Sequence, residues 1–293
     1  MLDIISAGPG EAVLLTDDAK QAIDRADAVW CAARHAVLVP PEKARPLSPL
    51  EGAIEQMRLS SDAGQRATVL VSGDAGLYSL LEMLKRKIGG EYLRVHPGVS
   101  ALQLFAARLG VSWQDAKILS AHGRALSESA LCHAVRTHRQ TFCFLDAAHN
   151  PAWVRESLNL GGLENVRLFV GERLSYPDER TEAYDPDATY DPLCMAYIEN
   201  DAPESGLPPV GLSDEAFIRG KTPMTKRDVR ALVVSALHLK PNGVVWDIGA
   251  GTGSVSVECA RQCPLGEVYA VEMKDEALDL IRRNAERFHA LNL

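Results

Sequence analysis

A glycine-rich run near the carboxyl end of the chain has the composition of a cofactor-binding turn. It reads Asp247-Ile248-Gly249-Ala250-Gly251-Thr252-Gly253, and the apolar stretch that follows it ends in Glu272. Glycines let the backbone turn tightly and approach a ligand, and an acidic side chain about twenty positions later can accept hydrogen bonds from ribose hydroxyls. The pattern predicts a nucleoside-cofactor site; the alternative is a tight strand-to-helix turn without a ligand.

The amino-terminal half carries three more turns of small residues, each behind a predicted strand. They read Ser6-Ala7-Gly8-Pro9-Gly10, Ser72-Gly73-Asp74-Ala75-Gly76-Leu77-Tyr78-Ser79 and Pro97-Gly98-Val99-Ser100-Ala101. One such turn alone is a weak signal, because strand ends often carry glycine and proline. Three such turns in order, each at a strand end, are poorly explained as unrelated turns.

These three turns resemble the motifs of the tetrapyrrole methylase family, and the resemblance covers residues 1 to about 200. Ala75 departs from the family pattern, which usually has a proline there. The run from Asp247 to Gly253 resembles motif I of the Rossmann-like S-adenosylmethionine (SAM) methyltransferases; dinucleotide sites use GxGxxG, whereas here the third glycine comes one position early. Both resemblances imply SAM as the cofactor.

Further segments narrow the resemblance to a cobalamin-pathway branch. Residues 119–124 and 170–179 look like signatures of enzymes that methylate precorrin-6Y at carbon 5. Residues 211–218 and 223–230 resemble the start of a partner domain that methylates carbon 15 and decarboxylates an acetate arm. Together the chain resembles the fused precorrin C(5,15)-methyltransferases (decarboxylating).

The resemblance also implies site residues. In a first site, SAM is expected to contact Pro9, Gly73, Asp74, Ala75, Ser100, Ala101 and Leu145. In a second site, the expected contacts are Thr225, Gly249, Ala250, Gly251, Thr252, Gly253 and Glu272. No metal is expected.

The substrate implied by the resemblance is a polycarboxylate, so cationic and hydrogen-bonding groups should line its site. We expect His122, Arg124 and Arg173 in this role, since arginine can bind a carboxylate through two hydrogen bonds. For each of the three, a solvent-facing loop residue is the alternative, and His122 could also relay a proton.

Strands that alternate with helices must position these turns. Predicted strands cover residues 2–6, 28–31, 67–72, 92–95, 117–119, 141–145, 166–171, 193–198, 244–248 and 267–271. Predicted helices cover residues 16–25, 77–88, 99–109, 127–137, 151–158, 225–237, 254–261 and 275–289, with Thr16 and Thr225 as N-caps.

The alternation predicts an α/β protein. With the resemblance, it implies a tetrapyrrole methylase fold of two α/β subdomains at residues 1–112 and 113–200, approximately. A proline- and glycine-rich linker at residues 201–211 then leads to a partial Rossmann-like SAM methyltransferase domain at residues 212–293. That last domain stops after two predicted strands. We therefore expect an exposed sheet edge there, one tightly bound SAM, and methylation at carbon 5 without loss of carbon dioxide.

Composition argues against nucleic-acid-binding, membrane-spanning and secreted proteins. The 293 residues suit about two domains. A net charge of -8 argues against nucleic-acid binding. No apolar stretch approaches the roughly 20 residues of a membrane-spanning helix, and no secretory signal is visible, so a cytoplasmic protein is expected. The six cysteines form no CxxC pair and are expected to be small buried apolar residues.

Two alternatives to a precorrin methyltransferase stay open from the sequence. The same fold serves enzymes that methylate RNA or protein, and a degenerate copy could bind tetrapyrroles without turnover. The acidic balance and the intact glycine turns favour the precorrin methyltransferase. A homo-oligomer is expected.

Overall fold

The computed structural model describes residues 1–123 and 125–293. Its strands are β1 Leu2–Ser6, β2 Ala28–Cys31, β3 Ala44–Pro46, β4 Ala67–Val71, β5 Leu93–His96, β6 Lys117–Ser120, β7 Gln140–Phe144, β8 Arg167–Glu172, β9 Arg180–Ala183, β10 Cys194–Glu199, β11 Val244–Ile248 and β12 Glu267–Val271. Its α-helices are α1 Asp17–Arg25, α2 Leu50–Asp62, α3 Leu81–Ile88, α4 Ala101–Leu109, α5 Glu128–Thr137, α6 Pro151–Leu160, α7 Arg227–Ala236, α8 Ser254–Gln262 and α9 Asp275–Arg287.

The first sheet has the strand order β3-β2-β4-β1-β5. Its central strand β1 pairs in parallel with both β4 and β5, and Leu2 lies opposite Ala67 on one side and Leu93 on the other. Parallel strands in register end at the same edge of the sheet. The turns after β1, β4 and β5, which carry the three glycine motifs, therefore meet at one edge.

Two further sheets follow, and the α/β fold class predicted from the sequence is confirmed. The second sheet has the order β6-β7-β10-β8-β9, and β6 and β7 run parallel. The third sheet contains β11 and β12, also parallel. Long parallel ladders with intervening helices are the pattern expected of an alternating βα sequence.

Contacts group the chain into two compact units. The first unit comprises Met1–Trp113, Gly171–Glu182 and Leu193–Met195, and the second comprises Gln114–Val170, Ala183–Pro192 and Ala196–Leu293. In the first unit, apolar residues fill both faces of the sheet, as the all-buried strand β4 shows. The predicted division near residues 112, 200 and 211 stays a prediction.

Several helix boundaries differ from the sequence prediction. The helix predicted from residue 77 begins only at Leu81. Thr16 caps α1 as predicted, accepting from Ala19 N, but Thr225 does not cap α7. That helix begins at Arg227, and the carbonyl of Thr225 accepts a hydrogen bond from Arg230 instead. Lys226 therefore occupies the N-cap position, and the predicted cap at Thr225 is wrong.

Strand β3 and helix α2 were not predicted. The middle residue of the three-residue β3 is Arg45, and α2 starts after Pro49 without a side-chain cap. Such short or uncapped elements lack the signals on which a sequence prediction depends.

All six cysteines are free and buried, as predicted. Burial raises the pKa of the thiols of Cys132 and Cys259 to about 12, which suits inert core residues. In the described part of the chain, no group of His, Cys, Asp and Glu is arranged to hold a metal, and no helix is long and apolar enough to cross a membrane.

One face of the third sheet is exposed, whereas the expectation of an exposed sheet edge stays a prediction. Val244, Trp246 and Ile248 on β11 are 62%, 65% and 70% exposed. Trp246 stacks on Tyr269 of β12 with ring centroids 4.7 Å apart. The opposite face packs on a small core that includes Cys259.

A buried histidine joins β5 to the first strand and the first helix. His96 is 1% exposed, and its Nδ1 and Nε2 lie 2.5 Å from Asp18 Oδ2 and 2.8 Å from Asp3 Oδ1. Each ring nitrogen thus faces one carboxylate oxygen. His96 directly precedes the third glycine motif and therefore fixes where that turn begins.

We predict that His96→Leu lowers the free energy of unfolding at pH 7 by roughly 1–3 kcal/mol, because the carboxylates of Asp3 and Asp18 lose their hydrogen bonding to the buried ring. The hydrogen bond from His96 lowers the pKa of the Asp18 carboxyl. The stabilisation that comes from the ionised Asp18 carboxylate is present above pH of about 4. It is lost as the pH falls through the lower pKa that Asp18 has in the folded state.

Urea unfolding from pH 3 to pH 7, at roughly one-unit intervals, measures the difference between the two proteins. The difference should shrink below pH of about 4. Asp17→Asn, at a neighbouring carboxylate that is 92% exposed, is the control and should change stability by less than about 0.5 kcal/mol. A difference that does not vary with pH would contradict the interpretation.

Candidate functional site

The first two glycine turns are hydrogen-bonded to each other. Gly8 N donates to Gly73 O (3.2 Å) and Gly73 N donates to Gly8 O (2.8 Å), which forms an isolated antiparallel bridge. Ser6 Oγ, at the end of β1, accepts from Ala75 N at 2.9 Å. A proline at position 75 has no N–H to donate, so alanine permits a bond here that the usual family residue cannot make.

The carboxylate of Asp74 joins the second turn to the third. Its Oδ1 accepts from Gly76 N (2.8 Å) and its Oδ2 accepts from Gly98 N (3.2 Å). Gly98 itself packs on the end of β1, where a Cβ would lie only 2.7 Å from Ser6 Cβ. A side chain at position 98 would therefore separate the turns.

The third turn leads directly into helix α4. Ser100 is its N-cap, with Oγ accepting from Gln103 N at 3.2 Å, and Gln103 completes the capping box on Ser100 N. The Ser100 side chain thus serves the helix, and its backbone and Ala101 belong to the positively polarised first turn.

The structure therefore brings the predicted residues of the first unit together at one sheet edge. They are Pro9, Gly73, Asp74, Ala75, Ser100 and Ala101.

The segment after β8 packs on the first glycine turn. A Cβ on Gly10 would overlap the hydroxyl of Tyr176, and Gly10 has a φ of +138°. The guanidinium of Arg173 lies 5.0 Å from the Tyr176 ring centroid, and its Nε lies 2.6 Å from Asp178 Oδ2. Arg173 is thus beside the predicted site, but its charge faces a carboxylate of its own loop.

The other predicted residues are placed differently. His122 is exposed in the turn after β6, and Leu145 is buried at the end of β7; both belong to the second unit. Arg124 lies outside the described residues. The site roles of these three residues stay predictions.

A basic cluster at the edge of the first sheet was missed by the sequence analysis. Arg34 Nη2 donates to Ser72 Oγ (2.6 Å), Arg34 Nε donates to His35 Nε2 (3.3 Å), and Ser72 Oγ lies 2.9 Å from His35 Nε2. His35 is fully buried. Burial, helped by the charge of Arg34, lowers its pKa to about 4, so the ring is neutral near pH 7 and its Nε2 can accept.

The cluster places an exposed cation next to the second glycine turn, because Ser72 immediately precedes Gly73. Among the described residues, no carboxylate pairs with Arg34. The pair Arg34-His35 follows β2, which runs parallel to β4 with Cys31 opposite Leu70. The pairing of β2 with β4 brings the two residues to Ser72, and the sequence carries no local signal for that pairing.

The carboxyl-terminal glycine run forms a turn whose acidic residue is already bonded to backbone. Gly249, Gly251 and Gly253 have φ of 80°, 57° and 75°, values that favour glycine. Glu272 accepts from the N–H groups of Gly251 (2.9 Å), Met273 (2.8 Å) and Lys274 (3.2 Å), and these bonds lower the pKa of its carboxyl.

The other residues predicted for the second site lie within this turn or before α7. A carboxylate has about four acceptor positions, so Glu272 keeps capacity for a ribose hydroxyl. The side chain of Thr252 is buried, with no hydrogen-bond partner for its Oγ1 in the described structure. Thr225 lies before α7, and Asp247 accepts from Ser256 Oγ at 2.6 Å.

Two family models match this chain. Residues 1–185 match the Tetrapyrrole (Corrin/Porphyrin) Methylases, and residues 215–293 match the Precorrin methyltransferase domain. The two matches fall on the parts of the chain that carry the two sets of glycine turns.

Individual proteins are similar to nearly the whole chain or to part of it. The chain is 32% identical to a precorrin-6Y C(5,15)-methyltransferase [decarboxylating] of Sinorhizobium sp., over 98% of this chain and 71% of that protein. It is 30% identical to a cobalt-precorrin-7 C(5)-methyltransferase of Salmonella typhimurium, over 61% of this chain and 88% of that protein.

A solved structure shows the fold of the amino-terminal part. It is the uroporphyrin-III C-methyl transferase of Thermus thermophilus complexed with S-adenyl homocysteine, which is 19% identical with a TM-score of 0.55. The similarity covers 68% of this chain and 96% of that one.

We predict that Gly10→Ala destabilises the first unit by more than the conformational cost alone. Alanine in such a sparsely populated conformation costs about 1–3 kcal/mol, and the overlap with Tyr176 adds to it. Gly64→Ala is the matched control, because Gly64 also has a positive φ of 76° but has open space around the Cβ position.

Chemical denaturation of the two variants separates the cost of the backbone conformation from the cost of the overlap with Tyr176. Gly10→Ala combined with Tyr176→Ala should recover the packing part and keep the conformational part. Equal losses for Gly10→Ala and Gly64→Ala would show that Tyr176 does not pack on this turn.

Proposed function

The chain belongs to the tetrapyrrole (corrin/porphyrin) methylases, and from this premise we propose that it transfers a methyl group from SAM to carbon 5 of a precorrin macrocycle in cobalamin biosynthesis. The observation that carries the proposal is the hydrogen-bonded set of three glycine turns at one sheet edge, centred on Asp74. The similarity to carbon-5 methyltransferases supports the substrate class.

The residues present fit a SAM molecule at this edge. Gly73 has a φ of 66°, and nothing lies within 4 Å of the position that its Cβ would take, so the backbone leaves room for a close ligand. Asp74, Ala75 and the first turn of α4 adjoin this space along the hydrogen-bonded turns. Pro9 from the first turn and Ser100 and Ala101 from the third complete the proposed binding residues.

SAM supplies an electrophilic methyl group on a sulfonium. When bound, SAM would lose its methyl group from sulfur to an electron-rich ring carbon and leave as S-adenosylhomocysteine, and the ring, which takes up the positive charge, would lose a proton to solvent. No enzyme nucleophile is required. The contribution of the protein is to hold donor and acceptor in near-attack geometry, which can supply several kcal/mol of the barrier reduction.

The substrate carries several carboxylates, so we propose Arg34 as a contact for one of them, in addition to Arg173, His122 and Arg124. Arg34 is held by Ser72 and His35 and is exposed beside Gly73. A guanidinium that is already oriented loses less entropy when it binds a carboxylate.

Residues 215–293 match the precorrin methyltransferase domain. We propose that they contribute the glycine turn of a second SAM site, for methylation at carbon 15 with decarboxylation. The proposed SAM contacts are Thr225, Gly249, Ala250, Gly251, Thr252, Gly253 and Glu272. The leaving carbon dioxide needs an electron sink, which the conjugated ring supplies.

Mass spectrometry of a precorrin incubated with SAM and this chain tests the proposed function. A mass gain of one methyl group is expected, and a loss of carbon dioxide reports the second activity. Retention of the precorrin without methyl transfer would indicate a binding module, and methyl transfer to RNA or protein would replace the proposed substrate class.

We predict that Asp74→Ala weakens SAM binding at least tenfold, because the variant loses the carboxylate that joins the second and third turns; tenfold corresponds to about 1.4 kcal/mol. Glu272→Ala should have the smaller effect on this chain. Calorimetric titration of SAM into each variant measures both dissociation constants. An equal or larger loss for Glu272→Ala would contradict the assignment of the tighter site to the first unit.

We predict that Arg34→Ala raises the KM for the precorrin roughly tenfold, the value of about one charge-assisted hydrogen bond, while the Kd for SAM stays within about twofold. Arg34→Lys should restore the KM only in part, because lysine cannot form the two-point contact. Arg58→Ala, at an exposed arginine on α2, is the control. A changed Kd for SAM with an unchanged KM would assign Arg34 a role in holding the turn rather than the substrate.

A further inference from the structure

We propose that the second unit contains a binding site for a small oxyanion, of the class of inorganic phosphate or a short dicarboxylate. The site is a cavity of about 260 Å³ at helix α5, the segment around Glu204, and the ends of α8 and α9. It is distinct from both sets of glycine turns, since none of their residues lines it.

The charges around the cavity are unbalanced. Three arginines line it, Arg136 on α5, Arg261 on α8 and Arg287 at the end of α9, and Glu204 is the one carboxylate among the described lining residues. Glu204 is paired with Arg136, with Oε1 3.5 Å from Nη1. Two guanidiniums are thus left without a carboxylate in the wall.

Arg261 shows the imbalance most clearly. Its Nη1 is buried and has no hydrogen-bond partner among the described residues. Burial lowers the pKa of the Arg261 guanidinium, and the charge of Arg136 acts in the same direction, while Glu258 and Glu204 oppose it. Glu258 is itself bonded to Arg230 at 2.7 Å. A buried donor with a full charge and no acceptor is costly, and an oxyanion in the cavity would supply the acceptor.

Neighbouring polar groups fix the residues that line the cavity, but they do not supply an acceptor for Arg261 Nη1. Arg136 Nη2 donates to Gly161 O (2.6 Å), so its guanidinium is oriented. The Nδ2 of Asn292 lies within hydrogen-bonding distance of Ala260 O, Cys263 O and Gly266 O, which holds the last residues of the chain against α8. Hydrogen bonds therefore fix the positions of residues that line the cavity.

The size of the cavity restricts the ligand. Pockets for drug-sized molecules start at about 300 Å³, so about 260 Å³ suits a small anion with a few waters and excludes a tetrapyrrole. Guanidinium groups bind carboxylate and phosphate oxygens through paired hydrogen bonds. The ligand class follows from this chemistry: small, multiply charged and rich in oxygen.

A bound oxyanion would connect two parts of the second unit. Arg136 belongs to α5 and Arg261 to α8, and the two parts already touch where Ser129 Oγ donates to Pro264 O (2.8 Å) and His289 Nδ1 lies 2.8 Å from Leu160 O. A ligand that binds only the folded protein stabilises it by mass action. The site would therefore strengthen the attachment of the carboxyl-terminal segment.

The test titrates inorganic phosphate, and separately succinate, into the full chain by calorimetry at constant ionic strength set with potassium chloride. We expect saturable binding of at least one of the two and a matching rise in Tm. Arg261→Gln should weaken that binding at least tenfold. Arg282→Gln is the matched control: it removes an exposed arginine of α9 that does not line the cavity, and it should leave the Kd within about twofold.

A second variant covers the case in which Arg261→Gln does not fold. Glu204→Gln removes the carboxylate that competes for Arg136, and its side chain is 54% exposed, so the fold should tolerate it. It should tighten anion binding several-fold, a change that loss of a merely structural contact would not produce. The proposal is overturned if neither anion binds, if Arg282→Gln weakens binding as much as Arg261→Gln, or if Glu204→Gln weakens it.

Discussion

The amino-terminal site depends on one carboxylate that accepts hydrogen bonds from two different turns. A parallel sheet leaves the backbone groups beyond its strand ends without ladder partners, so turns at that edge need other acceptors. Asp74 supplies two, to Gly76 and Gly98, and Ser6 supplies a third to Ala75. These short side chains make three separate turns into one surface, and His96 fixes the strand from which the third turn starts.

The carboxyl-terminal segment uses the same principle with a buried ion pair. Arg230 and Glu258 are 0% and 1% exposed, and Glu258 also accepts from the N–H groups of Gly211 and Leu212. Removing one partner of such a pair leaves an uncompensated buried charge, at a cost of about 3–5 kcal/mol. The pair thus attaches the end of the predicted linker to α7 and α8.

Local signals predicted much of the fold and the glycine turns. Thr16 acts as the predicted cap of α1, and Gly110 ends α4 in the left-handed conformation, whereas Ser100 caps a helix that was predicted to begin at residue 99. What the sequence could not predict are contacts between distant residues: Arg34 with Ser72, Tyr176 on Gly10, and the unpartnered donor of Arg261. Each depends on which strands and helices become neighbours, which residue types and spacing do not encode locally.

The position of Ser72 connects the two halves of the proposed reaction. Its hydroxyl holds Arg34 and His35, and its backbone leads directly into Gly73 and the turn proposed to bind SAM. A substrate carboxylate that binds Arg34 would therefore contact a side chain hydrogen-bonded to Ser72, which immediately precedes the turn proposed to bind SAM. Burial lowers the pKa of His35 to about 4, so the ring stays neutral near pH 7 and its hydrogen bond from Arg34 Nε does not change there. Methyl transfer needs donor and acceptor fixed relative to each other, and a shared serine is a short physical link through which one binding event can position the other.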